Sequence, residues 1–251
     1  MVRFRRVYHT VLGWFLLAVG RLISRIILKV DVVGLYNVPE TRPLIVISNH
    51  FSWFDAPLLT VLLPFKPVFL VATESQRKLS VRLFMSIFNG IPIWRGQVDR
   101  SAFRHARQVL QQGGVLGVFP EGGINPDLRE LVARGQVIMD DGYANTFRQS
   151  GQLARPRSGT AMLAVENDAR ILPVGLLGTE RIINDVTDWR RLLHWRRTSI
   201  TLTIGPAFGP LKIDPTLKGR ARRQFLDNTA DMIMQRVAEL FPPEHRGPYR
   251  A

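Results

Sequence analysis

Hydrophobic positions along this chain fall into short solid runs separated by stretches of helical period. "PLIVIS" (43–48), "VFLVA" (68–72), "VLGVFP" (115–120), "RILPVGLLG" (170–178) and "TSITLTIG" (198–205) read as strands, several apolar at consecutive positions as a sheet covered on both faces requires. "VDVVGLYNVP" and "IPIW" add a short strand each. Between them, "APLLTVLLPF", "SVRLFMSIFNG" with Gly90 as its cap, "DRSAFRHARQVLQQGG", "SGTAMLAVEND" and "GRARRQFLDNTADMIMQRVAELF" carry helical periodicity and glycine stops. Strand and helix in alternation predict an α/β fold: a single domain with a mainly parallel central sheet flanked by helices.

The first thirty residues stand apart. On a helix, Leu12, Phe15, Val19, Leu22, Ile23 and Ile26 share one side, and Arg3, Arg6, Thr10, Arg21 and Ser24 share the other. Arg21 and Arg25 interrupt the apolar run, and its longest unbroken piece, Val11 to Gly20, is too short for the roughly 20 residues that cross a bilayer. No small-residue cleavage site follows, which argues against a secretory signal. Residues 1–29 are therefore expected to form an amphipathic helix at a membrane interface, with Trp14 and the flanking arginines favouring an anionic surface. The plainer alternative is a helix packed on the core.

Residues 30–241 are expected to make up the main domain. An irregular insertion rich in Gly, Asp, Asn and Arg interrupts it at about 123–157, too long to be structureless and so either partly helical or a lid. The tail 242–251, "PPEHRGPYRA", is expected to be disordered.

Composition narrows the chemistry. With 46% hydrophobic and 22% charged residues in 251, the chain has material for one full core. It lacks cysteine, so a disulfide framework and a thiolate nucleophile are both excluded. Its five histidines show no HxxxH or HExxH spacing, and no metal is expected. A net charge of +14 attracts polyanions. Because the basic residues lie in several separate places, with the outstanding cluster beside the amino-terminal apolar segment, an anionic membrane suits them better than nucleic acid.

Three polar features fall where strands end, the usual place for ligands in open α/β sheets: His50 with Asp55, Arg95 after "GIPIW", and Glu121 in "VFPEGG". Singly, each has a mundane explanation: a hydrogen-bonded core histidine, a solvated arginine, a structural ion-pair partner. Their order and spacing change that. Asn49-His50-Phe51-Ser52-Trp53-Phe54-Asp55 matches NHxxxxD, Gly90 to Arg95 matches a Gly-apolar-Arg block, Phe119-Pro120-Glu121-Gly122 matches FPEG, and Ile171 to Val174 is an apolar strand containing a proline. On these motifs, over about residues 30–210, the chain resembles the glycerolipid acyltransferase family, whose best-known members are the 1-acylglycerol-3-phosphate acyltransferases.

The resemblance implies an acyltransferase moving a fatty acyl group from acyl-carrier protein or acyl-CoA to the free hydroxyl of a lysophospholipid, with 1-acylglycerol 3-phosphate the leading acceptor. The acyl donor would be a co-substrate, and no cofactor is implied. His50 would be the general base, since a neutral imidazole suits proton removal from a hydroxyl, and Asp55 would hold its tautomer. Arg95 offers the fork and fixed charge a phosphate monoester takes. The backbone at Gly122 and Gly123 could approach an anion, with Glu121 bonding a glycerol hydroxyl or fixing Arg95. Gly123-Ile124 replaces the family's usual Thr-Arg, which bears on the acceptor rather than the reaction. The enzyme is expected on the cytoplasmic face of the cell membrane, peripheral or monotopic. Two other functions use the same residues: a non-catalytic lipid-binding or transfer protein, and a lipid hydrolase in which His50 activates water.

Overall fold

Leu44 to Ser48 is buried at every position, and successive side chains leave it in opposite directions. Leu44 and Val46 join one apolar cluster, whereas Ile45 and Ile47 join another on the far face. That strand is the middle of the sheet in the computed structural model, which describes residues 15, 17–73, 79–94, 99–124, 151–182, 185, 188 and 197–250. Seven strands are present: β1 (Leu28–Val33), β2 (Leu44–Ser48), β3 (Val68–Ala72), β4 (Ile91–Ile93), β5 (Val115–Val118), β6 (Arg170–Leu177) and β7 (Thr198–Ile204). They lie in the order β1-β7-β6-β2-β5-β3-β4. Every neighbouring pair is parallel except β6 and β7. The expected mainly parallel α/β sheet is what the chain forms.

Helices cover both faces. α2 (Asp55–Leu62) lays Leu58 and Leu59 on the Leu44–Val46 side. The opposite side carries α4 (Arg100–Gln111), α5 (Gly159–Glu166) and α6 (Gly219–Ala238). In α4, Ala102, Ala106 and Leu110 recur every four residues and are the buried stripe, the narrow apolar face of an otherwise charged helix. α3 (Leu79–Phe88) links β3 to β4. Its end differs in detail from expectation: Asn89, with φ 53°, takes the left-handed position assigned to Gly90. Asparagine tolerates that region, so the glycine was not needed for it.

Residues 17–27 form α1, which runs directly into β1. Leu17 and Ser24 are buried against the domain, Gly20 sits 3.2 Å from Val61 measured at an added Cβ, and Arg21 Nε donates to the Val61 carbonyl at 3.0 Å. Phe15 (63% exposed), Leu22 (60%), Ile23 and Ile26 point away from the protein. The side turned to the domain thus carries Leu17, Gly20 and Ser24, while large apolar side chains of the same segment face outward. Among the described residues no helix is long and apolar enough to cross a membrane.

The tail corrects the expectation of disorder. Residues 242–250 make two short 3₁₀ turns, Pro243–His245 and Gly247–Tyr249. They are tied to distant chain: Leu153 N–H donates to the His245 carbonyl at 2.9 Å, and the Tyr249 hydroxyl donates to Asp231 Oδ1 of α6 at 2.9 Å. Burial, and then the Asp231 hydrogen bond, hold the Tyr249 phenol above its ordinary range. Turns this short leave no periodicity in the sequence, and their partners lie far along the chain.

Candidate active site

The site is built at the carboxyl ends of β2 and β5, which pair in parallel from Leu44–Val115 to Ile47–Val118. Past the end of β2, Asn49 extends the ladder with its side chain. Its Nδ2 donates to the Leu176 carbonyl and its Oδ1 accepts from the Leu176 amide, both at 2.8 Å. A fully buried amide thus replaces a peptide group and fastens the chain to β6 immediately before His50. Asn49→Leu should leave both Leu176 groups unpaired, costing about 3 kcal/mol and lowering Tm by roughly 10 °C, measurable by calorimetry.

His50 then turns across the strand ends. Its Nδ1 lies 2.9 Å from Asp55 Oδ2. The same oxygen accepts the amide of Phe51 at 2.7 Å and that of Ser52 at 2.8 Å. Asp55 is the first residue of α2, so its carboxylate folds back over the bend that separates it from His50. The five-residue interval works for that reason. A carboxylate only accepts hydrogen bonds, so Nδ1 carries the imidazole proton and Nε2 presents a lone pair. Asp55 is fully buried while the His50 side chain is 19% exposed: the support is inside and the reactive edge reaches the surface.

Glu121 arrives from the turn after β5. It is fully buried, and Oε1 accepts the backbone N–H of His50 at 3.2 Å. Two motifs 71 residues apart in sequence are thereby joined. The carboxylate supports the histidine's backbone. Gly122, with φ 68°, closes the same turn by donating its N–H to the Phe119 carbonyl at 3.0 Å, so that amide is engaged inside the protein. Gly123 is buried beside it. Arg95 lies outside the described residues, as does most of the 123–157 insertion.

Although Arg95 itself is not described, both ends of its loop are held by one residue. Asp99 Oδ2 accepts the Trp94 amide at 3.0 Å, and Oδ1 accepts those of Ser101 and Ala102, capping α4. The Ala102 and Trp94 amides hold this carboxyl below its usual value. A depressed carboxyl contributes stability that is present above the unfolded pKa of about 3.9 and lost as pH falls through the folded one. Asp99→Ala should therefore lower Tm at pH 7, and the gap to the parent should narrow as pH falls below about 3.9 in thermal melts.

The sequence reading missed three contributors: Asn49, Asp99 and the ring of Phe119, which stacks on the His50 imidazole with centroids 4.1 Å apart. Asn49 carried a signal, as an amide side chain at the end of a buried strand must find partners. Asp99 also did, being an N-cap residue before an amphipathic helix. The ring contact had none.

A hydrogen-bonded His–Asp pair, held by backbone amides, thus lies at the strand ends of a mainly parallel α/β sheet, an arrangement able to accept a proton. The acyltransferase family profile matches residues 29–177, more than half of the chain, and the protein belongs to that family. Its fold is similar to the crystal structure of the 1-acyl-sn-glycerophosphate (LPA) acyltransferase PlsC from Thermotoga maritima, with a TM-score of 0.57 and 22% identity, covering 91% of this chain and 80% of that one. The chain is also 30% identical over 126 residues to the HTH-type transcriptional regulator TauR of Rhodobacter capsulatus; that stretch is 49% of this chain, which spans only 25% of TauR.

Proposed function

We propose that the protein is a membrane-surface acyltransferase that transfers a fatty acyl group from an acyl thioester, acyl-CoA or acyl-carrier protein, to the free hydroxyl of a lysophospholipid, 1-acylglycerol 3-phosphate first among them. The observation that carries the reading is the His50–Asp55 pair, with Nδ1 engaged at 2.9 Å and Nε2 left for substrate. In the reaction His50 Nε2 takes the hydroxyl proton as the oxygen attacks the thioester carbonyl. Asp55 stabilises the imidazolium that forms. Collapse of the tetrahedral adduct breaks the carbon–sulfur bond, and the leaving thiolate takes the proton back from His50. Ester and thiol are the products, and no net charge is left on the enzyme. Arg95 and the FPEG turn with Gly122 and Gly123 are assigned to the acceptor's phosphate side, and Glu121 to fixing the histidine.

The outward apolar face of α1 supports placement at a bilayer interface, where the acceptor already resides. The proposed position is peripheral, on the cytoplasmic leaflet. Purified protein given labelled acyl-CoA and acyl-carrier protein with a panel of lysolipids should form diacyl product from at least one phosphate-bearing acceptor. Release of free fatty acid without an acceptor would establish hydrolysis instead, and absence of any product with every pair would return the protein to lipid binding. Within that assay, Arg95→Lys should raise KM for a phosphate-bearing lysolipid more than it lowers kcat, and leave a phosphate-free acceptor nearly unaffected.

A further inference from the structure

Three rings lie nearly parallel across neighbouring strand ends. The His50 imidazole stacks on Phe119 with centroids 4.1 Å apart and planes 10° from parallel. Phe119 stacks in turn on Phe69 of β3, at 5.3 Å and 14°. Phe69 faces Gly117 in the β3–β5 register. Its ring lies flat on that glycine: a Cβ at position 117 would stand 2.4 Å from one ring carbon and 2.6 Å and 2.8 Å from two others. Any side chain at 117 would lift the ring. Gly117 of β5 and Phe119, just past the strand's end, are two apart and share a face, which is why a ring seated on the first meets the second.

A hydrogen bond from Nδ1 to Asp55 fixes one point of the imidazole and leaves it able to pivot about that axis. A flat neighbour removes the pivot, because stacked rings keep their planes together. Phe119 follows the last residue of β5 and precedes Pro120, so its own plane needs support beyond the ladder. Phe69, buried in the core, gives that support.

We propose that Phe69 is a positioning residue for the proposed acyl transfer: seated in the gap left by Gly117, it sets the plane of Phe119 and through it the direction of the His50 Nε2 lone pair. The inference rests on His50 acting as the base. It also assigns a part to Phe69 and Gly117, which lie outside the four sequence motifs.

The test uses Phe69→Leu, Gly117→Ala and the double variant in the full chain. In the double variant the alanine methyl enters space that the ring vacates, so volume is roughly conserved while the stack is lost. Each single variant should lower kcat about tenfold with KM for lysolipid within about twofold of the parent. The double variant should recover the parent's Tm but keep the low kcat. Ring protons of His50, shifted upfield by Phe119 in NMR spectra of the parent, should move downfield in it. A double variant that recovers both Tm and kcat would reduce the pair to core packing and overturn the proposal, as would low kcat with unmoved His50 resonances. His50→Ala run alongside keeps the two readings apart: if that variant transfers acyl groups normally, the base assignment fails, while the His50 resonances of the stack variants still report whether Phe69 sets the ring plane.

Discussion

His50→Ala should reduce kcat for acyl transfer by 10² to 10⁴ while leaving thermal unfolding within a few degrees of the parent. The imidazole is partly exposed, and its backbone N–H to Glu121 survives the substitution, so the fold loses little. Asp55→Asn is the sharper companion. One oxygen, Oδ2, receives the imidazole and both amides, and an asparagine oxygen in that position would accept all three. What disappears is the charge that stabilises imidazolium, so the fold should persist and kcat should fall by about 10² or more. Stopped-assay rates with circular dichroism as control decide it. Both variants folded and active within a fewfold of the parent would remove the pair from the chemistry.

The second large effect is expected at α1. Changing Phe15, Leu22, Ile23 and Ile26 together to Ser should lower vesicle affinity at least a hundredfold, since each apolar side chain returned from a lipid interface to water forfeits on the order of 1.5 kcal/mol. These four do not hold the helix to the domain: Leu17, Ser24 and the Arg21 hydrogen bond to Val61 do. Tm should accordingly stay near the parent's. Arg3, Arg5 and Arg6 to Gln should add a salt-sensitive loss of roughly 1 kcal/mol each on anionic vesicles and nothing on neutral ones. Arg21 is left in place because it docks the helix. Flotation with phosphatidylglycerol vesicles and with phosphatidylcholine vesicles measures both effects. Activity on short-chain monomeric lysolipid should survive in either variant, and its loss would mean the helix serves the core.

How much of this was legible in the sequence depends on the kind of interaction. The strand runs were, because burial on both faces demands consecutive apolar residues, and β2 with its five buried positions is the clearest instance. His50 and Asp55 were, because strand end and helix start are both visible and the carboxylate has one bend to cross. The contact of Glu121 with the His50 backbone was not legible: the chain is silent on which group a buried carboxylate meets when its partner is 71 residues away. The order of strands was also hidden, as was the reversal at β6–β7, since apolar runs name strands without naming their neighbours. The ordered tail escaped because its restraints are single hydrogen bonds to residues such as Leu153 and Asp231, each invisible until both ends are seen.

That one reversal fixes which rim of the sheet α1 leaves from. β1 runs alongside β7 and therefore against β2, so the point where the helix hands over to Leu28 and the point where β2 hands over to Asn49 lie on the same side of the sheet. Had β7 run with β6, the same helix would meet β1 at the opposite rim, a strand's length from His50. Parity of strand direction, a property no single residue carries, thus brings the start of β1 and the His50 imidazole to one rim, as the proposed delivery of a lysolipid from a membrane surface requires.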